Sequence, residues 1–478
     1  MLFSSLTFLY LFLPLTLIVN WLLRKTEWRN VFLLFASLGF YAWGEGVIVL
    51  VMIGSILINF LIGMGISQPG QSQGSKTARL YLALGVAVNL LLLAIFKYAN
   101  FIVDNLNNFL TGMGGSSIDL APIHLPIGIS FFTFQAISYL VDVYYKPEIV
   151  QKNPLRVGLY ISLFPQLIAG PIVRYGDIFK QISSRIVEIE LFASGVKRFI
   201  TGLVKKVLLA DTVGRVTDAI FDIPTSQLDL GTAWLGILCY TLQIYLDFSA
   251  YSDMAIGIGR MLGFRFLENF NYPYIAKSIR EFWRRWHISL STWFRDYLYV
   301  PLGGNRKGFF RTYFNLLLVF FLCGLWHGAS WSFVFWGLFH GLFLVLERIG
   351  LGKFLERIPG IFQYIYVLIV VMVGWVFFRA ENFDYALGYL GAMIGIAETP
   401  LYYANYFLDK EVILALFAGI LFSTPIYPFV ERKLTSDSKS SKAYWFRITE
   451  YSLLLWLLVL SGMYLASHGY NPFIYFRF

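Results

Sequence analysis

The thirty-five positions Thr312–Leu346 contain no aspartate, glutamate, lysine or arginine. A helix crosses the hydrocarbon core of a bilayer with about 20 residues, so this run has room for two crossings with a bend between them. The uncharged runs Leu2–Leu23, Ile358–Phe378, Val412–Val430 and Tyr451–Phe476 are each long enough for one more. In lipid, every backbone amide and carbonyl must find its partner inside the protein, which leaves α-helices or a closed barrel. The sequence lacks the dyad alternation of a barrel, so the expected class is all-α and polytopic. Composition agrees: 58% of the 478 residues are hydrophobic and 14% are charged, where a soluble chain carries about a quarter charged. Soluble globular, disordered and disulfide-scaffold classes are excluded. Cys239 and Cys323 both lie in apolar runs, and no Cys/His cluster is present to bind a metal.

The net charge of +10 is concentrated: Arg260–Arg311 holds ten Lys/Arg against Glu268, Glu281 and Asp296. Short basic loops between spans mark the cytoplasmic side and make nucleic acid an unneeded partner. Arg24, Lys25 and Arg29 follow the first run directly, which sets the N-terminus outside. That run has no basic n-region and no cleavage site, and is read as a retained span. The basic loop Arg432–Arg447 precedes the last run, so the C-terminus is expected outside. Val31–Gly44, Gly46–Ser67, Leu80–Phe96 and Leu230–Leu246 read as further crossings, Gln68–Ser75 as a surface loop, and Asn100–Leu120 as an interfacial helix. Leu120–Val141 and Val157–Val173 are interrupted by prolines and polar residues, a pattern tolerated at membrane depth only beside protein or a water-filled cavity. Leu191–Thr212, with Lys197, Arg198, Lys205 and Lys206, looks like a helix lying in the interface. The sum is about 10–12 transmembrane helices plus re-entrant and interfacial ones. They form a single domain, 1–478: peripheral helices over 1–120, a core over 121–346 and C-terminal helices over 347–478.

Five histidines occur: His124, His287, His327, His340 and His468. His327 stands in Gly324-Leu-Trp-His-Gly-Ala-Ser330, inside the uncharged run. An ionisable group at that depth is costly, which points to function, and imidazole suits general-base work near neutral pH. A neutral histidine bonded to a neighbouring helix fits equally, and Gly324 and Gly328 suit either a substrate or close helix packing. His287 lies where Trp283, Trp286, Trp293, Tyr297 and Tyr299 interleave with Arg284, Arg285 and Arg295. That pattern fits an interfacial belt or a basic mouth for a phosphate-bearing substrate. The basic loop Gly303-Gly-Asn-Arg-Lys-Gly308 follows without a Walker pattern.

Arg284–Pro301, the Gly303-Gly-Asn-Arg loop, Trp326-His-Gly and Trp336-Gly-Leu-Phe-His-Gly341 resemble the membrane-bound O-acyltransferase (MBOAT) family. The likeness is to its bacterial branch, which acetylates exported polysaccharides such as alginate. It covers most of the chain, and its central block includes the 40-residue spacing between His287 and His327. The resemblance implies a core with a central tunnel, His327 as the catalytic histidine, and His287 at a second family position. It also implies His340 and Trp326 as supporting site residues. The terminal Asn471-Pro-Phe-Ile-Tyr-Phe-Arg-Phe478 resembles a motif found on several bacterial members or on a small companion peptide. Its tyrosine, here Tyr475, would carry the acyl group to an extracellular partner. Without the resemblance, Tyr475 fits an aromatic interface anchor.

The resemblance thus implies an O-acetyltransferase in a bacterial cytoplasmic membrane, with acetyl-CoA as donor substrate and no bound cofactor. The donor's phosphates would be held near Arg284, Arg285, Arg295 and Lys307. His327 would be the base, with His287 orienting the donor or stabilising the oxyanion. Tyr475 would be the first acceptor, and a hydrolase-fold acetyltransferase outside the membrane would unload it onto a polysaccharide. The alternatives are a D-alanyl donor on a carrier protein, a lipid or protein acylator, and a transporter. The last would be expected to show an internal repeat, and none is evident.

Overall fold

The computed structural model describes residues 3–68, 74–397, 399–437, 440–468 and 473. Tyr475 and the side chain of His468 lie outside the described residues. Among the described residues, all regular structure is helical apart from one isolated bridge between Leu228 and Tyr402. Both cysteines are free and buried.

Among the described residues, six helical runs are long and apolar enough to cross a membrane: Thr26–Ile66, Lys76–Gly112, Gly308–His327, Trp331–Leu355, Gly360–Arg379 and Ser441–Ser467. The pair Lys410–Phe422 and Ile426–Thr435, bent by 64°, makes a seventh if it is one span. The difference from ten to twelve has identifiable causes. Thr26–Ile66 contains two of the expected spans, Thr26–Glu45 and Val49–Ile66, with Gly46 at φ +57° between them. Expected breaks also moved. The helix after Lys76 runs without interruption through a π-turn at Ala94–Tyr98 to Gly112, so no separate interfacial helix begins at Asn100. Residues 115–126 then form no regular element, and the helix expected from Leu120 starts only at Ile129. Its N-cap, Gly128, has φ +76°, and a Cβ there would stand 2.7 Å from the Leu167 carbonyl oxygen. Val157–Val173 is divided into Pro154–Ser162 and Phe164–Leu167.

The chain forms two compact units, Met1–Val196 with Ala255–Leu267, and Lys197–Met254 with Glu268–Phe478. In the first, Phe3, Phe8, Phe12, Phe40 and Phe164 make one ring cluster. Asn59 and Asn89 exchange amide hydrogen bonds of 2.7 and 3.2 Å across neighbouring helices. Buried amides satisfied in this reciprocal way fix the register of two helices that apolar contacts alone would leave free to slide.

The second unit holds all the residues singled out for chemistry. Helices Gly308–His327 and Trp331–Leu346 approach so closely that a Cβ on Gly324 would lie 2.3 Å from the Phe333 carbonyl oxygen. A Cβ on Gly337 would lie 2.2 Å from that of Phe320. These glycines therefore serve helix packing, which sets the position of His327 at the end of its helix.

The cations of the stretch expected to lie in the interface are paired within the protein. Lys205 Nζ is 2.6 Å from Asp253, and Lys206 Nζ is 2.7 Å from Asp211 and 3.0 Å from Asp247. Arg198 pairs with Asp253 at 2.8 Å and also with Glu268. Lys206 and Asp247 are both buried, and a buried carboxylate that loses its partner is costly. Lys206→Met is expected to destabilise the protein by about 3–5 kcal/mol, read as a lowered melting temperature in detergent. Adding Asp211→Asn and Asp247→Asn should recover much of that loss.

Candidate active site

His287 is positioned by a turn between two short helices. The first, Ile279–Arg285, begins where the Ser278 hydroxyl accepts from the Glu281 amide at 3.0 Å. The Glu347 carboxylate accepts from the Ile279 and Arg280 amides at 2.6 and 3.0 Å. After Trp286, His287 takes φ +43° and ψ +55°, a left-handed conformation unusual for a residue with a side chain. Asn269 holds it there. The Asn269 carbonyl accepts from the Ile288 amide at 2.9 Å. Its Oδ1 accepts from the Ser289 amide at 3.2 Å and the Ser289 hydroxyl at 2.8 Å, and lies 3.2 Å from His287 Nδ1.

This arrangement decides the tautomer. A backbone N–H only donates, so the Asn269 atom facing Ser289 is the oxygen, and Nδ1 of His287 carries a proton to reach it. Burial pushes the His287 imidazole down to about 3, so it is neutral at ordinary pH. Nε2 is then the lone-pair nitrogen and accepts rather than donates. An acceptor nitrogen in this position suits an N–H of a bound group.

The three candidate histidines belong to one aromatic array. The His287 ring stands edge-on to Phe248 at 4.7 Å and lies 6.1 Å from Trp326. His327, the last residue of its helix, is 5.0 Å from Trp326, 5.0 Å from Trp336 and 5.3 Å from Phe378. His340 stands 5.3 Å from Trp336 and 5.2 Å from Trp283. Phe473 also reaches this array. Phe473, 3% exposed, packs 4.8 Å from Tyr251 and 6.2 Å from Phe248.

A cavity of about 420 Å³ leads toward the array. Its walls include Arg280, Trp283, Arg284, Arg295, Phe320 and Cys323. Leu316, Val319, Phe320 and Cys323 form one stripe of their helix, and the same stripe continues at Trp326 and His327, one turn on. A second cavity of about 730 Å³ shares Arg280, Leu316 and Leu344 with the first and adds Lys277, Arg348, Lys353 and Asn305. Asn305, from the Gly303-Gly-Asn-Arg loop, accepts from Tyr299 at 2.5 Å and from Arg348 at 3.0 Å.

Residues 148–378 match the MBOAT, membrane-bound O-acyltransferase family. Over the full length of both proteins, the chain is 42% identical to a probable alginate O-acetylase AlgI of Pseudomonas putida and 41% identical to one of Azotobacter vinelandii. The chain belongs to the membrane-bound O-acyltransferase family. A peptidoglycan O-acetyltransferase of Helicobacter pylori is 34% identical over all of this chain and 98% of that one. The protein is thus a multi-pass integral membrane acyltransferase.

Within this acyltransferase, the sequence-expected residues divide. His287, His327, His340 and Trp326 come together, and Arg284 and Arg295 line the first cavity. Arg285 lines neither cavity: it pairs with Glu281 at 2.8 Å and donates to the Asn271 carbonyl at 3.0 Å. Lys307 lines neither as well, because its stem lies over Gly303, where a Cβ would stand 2.9 Å from Lys307 Cδ. Arg280, which lines both cavities, escaped the sequence reading, as did Asn269 and Glu347. Asn269 sits in a Glu-Asn-Phe-Asn-Tyr loop with no pattern of its own. Asn269→Ala removes the acceptor that fixes the His287 tautomer and should cost about 10–100-fold in acyl-transfer rate. Asn269→Asp, which keeps the acceptor, should recover part of it.

Proposed function

We propose that this acyltransferase takes an acetyl group from acetyl-CoA on the cytoplasmic side of a bacterial inner membrane and passes it through a tunnel to Tyr475. A hydrolase-fold partner outside then moves it to a polysaccharide hydroxyl. The observation that carries this reading is the cavity whose lining stripe ends one helical turn from His327. A pantetheine arm is narrow and mostly apolar, as are the inner walls of that cavity, while Arg280, Arg284 and Arg295 supply charge for phosphate. The adjoining cavity of about 730 Å³, lined by Lys277, Arg280, Arg348 and Lys353 as well as Glu281, Glu347 and Glu356, offers room for a nucleotide, which free CoA carries and a carrier-protein arm lacks.

The chemistry follows from the residues. The Tyr475 hydroxyl oxygen attacks the thioester carbonyl carbon as His327 removes its proton. The tetrahedral intermediate collapses with cleavage of the C–S bond, and the proton passes from His327 to the sulfur of departing CoA. His287, with its acceptor nitrogen, orients the donor through a pantetheine amide N–H. Tyr475 follows Phe473 by two positions in the sequence, and Phe473 abuts the array. The alginate and peptidoglycan acetylases among the relatives favour a polysaccharide as final acceptor.

The donor is tested with protein reconstituted in liposomes, following CoA release from acetyl-CoA against release from an acetylated carrier protein. Acetyl-CoA should be the better substrate, and Arg280→Ala or Arg284→Ala should raise its KM about tenfold with little change in kcat. Preference for the carrier-bound thioester, with no effect of either arginine on acetyl-CoA, would remove CoA as the donor.

A further inference from the structure

Beside His327 lies a group of buried polar atoms that the proposed chemistry has not used. Trp283 Nε1, Trp336 Nε1 and both ring nitrogens of His340 are buried without a hydrogen-bond partner among the described residues. The three side chains touch one another: Trp283 and Trp336 at 5.7 Å, Trp283 and His340 at 5.2 Å, Trp336 and His340 at 5.3 Å. Their positions are constrained. Gly374 leaves the space that His340 occupies, since a Cβ there would stand 2.6 Å from His340 Nε2. A buried donor left unbonded loses its hydration with nothing in return. Several such atoms in one cluster call for an occupant, and two indole N–H groups, which only donate, require it to be an acceptor.

The place of the cluster identifies that acceptor. Trp283 lines the donor cavity, and Trp336 stands edge-on to His327 at 5.0 Å. We infer that the Trp283 and Trp336 indole N–H groups, with an N–H of His340, bind the carbonyl oxygen of the acyl thioester and hold the oxyanion that forms there. This rests on the thioester-donor reading above. When the acceptor oxygen attacks the carbonyl carbon, the π electron pair moves onto the carbonyl oxygen. The pair returns as the C–S bond breaks, and the thiolate takes the proton held by His327. Donors held in place by packing before the reaction bind that oxygen more strongly as the charge develops, without reorganising. The assignment supplies the donors that the tautomer of His287 withholds.

The test compares acetyl-CoA with its dithioester analogue, in which the carbonyl oxygen is replaced by sulfur, a weak hydrogen-bond acceptor. Wild-type protein should turn the dithioester over about 100-fold more slowly. Replacing Trp336 by 3-benzothienylalanine keeps the ring shape and removes the N–H. That variant should lose about 100-fold in kcat on acetyl-CoA at nearly unchanged KM, and its discrimination against the dithioester should fall below about tenfold. Trp283→Phe should shift the same ratio in the same direction. Equal wild-type rates on the two thioesters, or a benzothienyl variant with wild-type kcat and discrimination, would overturn the inference and leave the cluster holding buried water. Wild-type protein that releases CoA from neither thioester contradicts the donor reading as well, so the two failures are distinguishable.

Discussion

Replacing His327 by alanine is expected to lower acyl transfer by about 10²–10⁴-fold, the range supplied by a positioned general base, while leaving a folded protein. The residue sits at the last position of helix Gly308–His327 and makes its contacts through ring faces of Trp326, Trp336 and Phe378. Its helix is held instead by the close approach of Gly324 and Gly337 to backbone, which the substitution leaves intact. CoA release and a thermal melt on the same preparation separate the two effects. Loss of transfer at an unchanged melting temperature is the expected outcome, whereas transfer within about threefold of wild type would place the base elsewhere.

The second large effect is expected at the other end of the chain. Tyr475→Phe removes the proposed nucleophilic oxygen and nothing else, so acetylation of the external polysaccharide should fall to background. Phe473→Ala should act more mildly. The Phe473 ring is buried against Tyr251 and Phe248, and its loss removes that packing without removing the Tyr475 hydroxyl. A decrease of about tenfold is expected, measured as acetyl content of polymer from cells carrying each variant. Full polymer acetylation by Tyr475→Phe would mean direct transfer, with no tyrosine relay.

These expectations depend on features unequally legible in the sequence. The uncharged run Thr312–Leu346 forecast a pair of membrane helices, because lipid leaves the backbone no other way to satisfy itself. His327 stands out as an ionisable residue inside an uncharged run, the resemblance adds His287 and His340, and the fold brings the three into one array. What the sequence did not disclose were partnerships across long separations. Nothing near Arg198 and Lys205 in the sequence shows that Asp253, 55 and 48 positions away, supplies their counter-charge. Asn269 determines the tautomer of His287 from 18 positions upstream, and an asparagine in a loop advertises nothing. Arg284 and Arg285 are adjacent in sequence and equally basic. Only the helix phase decides that one faces the cavity and the other is taken by Glu281.

The most direct measurement is the mass of the protein itself. Purified wild-type protein is incubated with acetyl-CoA, beside His327→Ala and Tyr475→Phe, and intact and peptide masses are recorded. One acetyl group on the C-terminal peptide of the wild type, absent from both variants, is the predicted result. An unmodified C-terminal peptide in all three proteins, with polymer still acetylated, would contradict transfer through Tyr475.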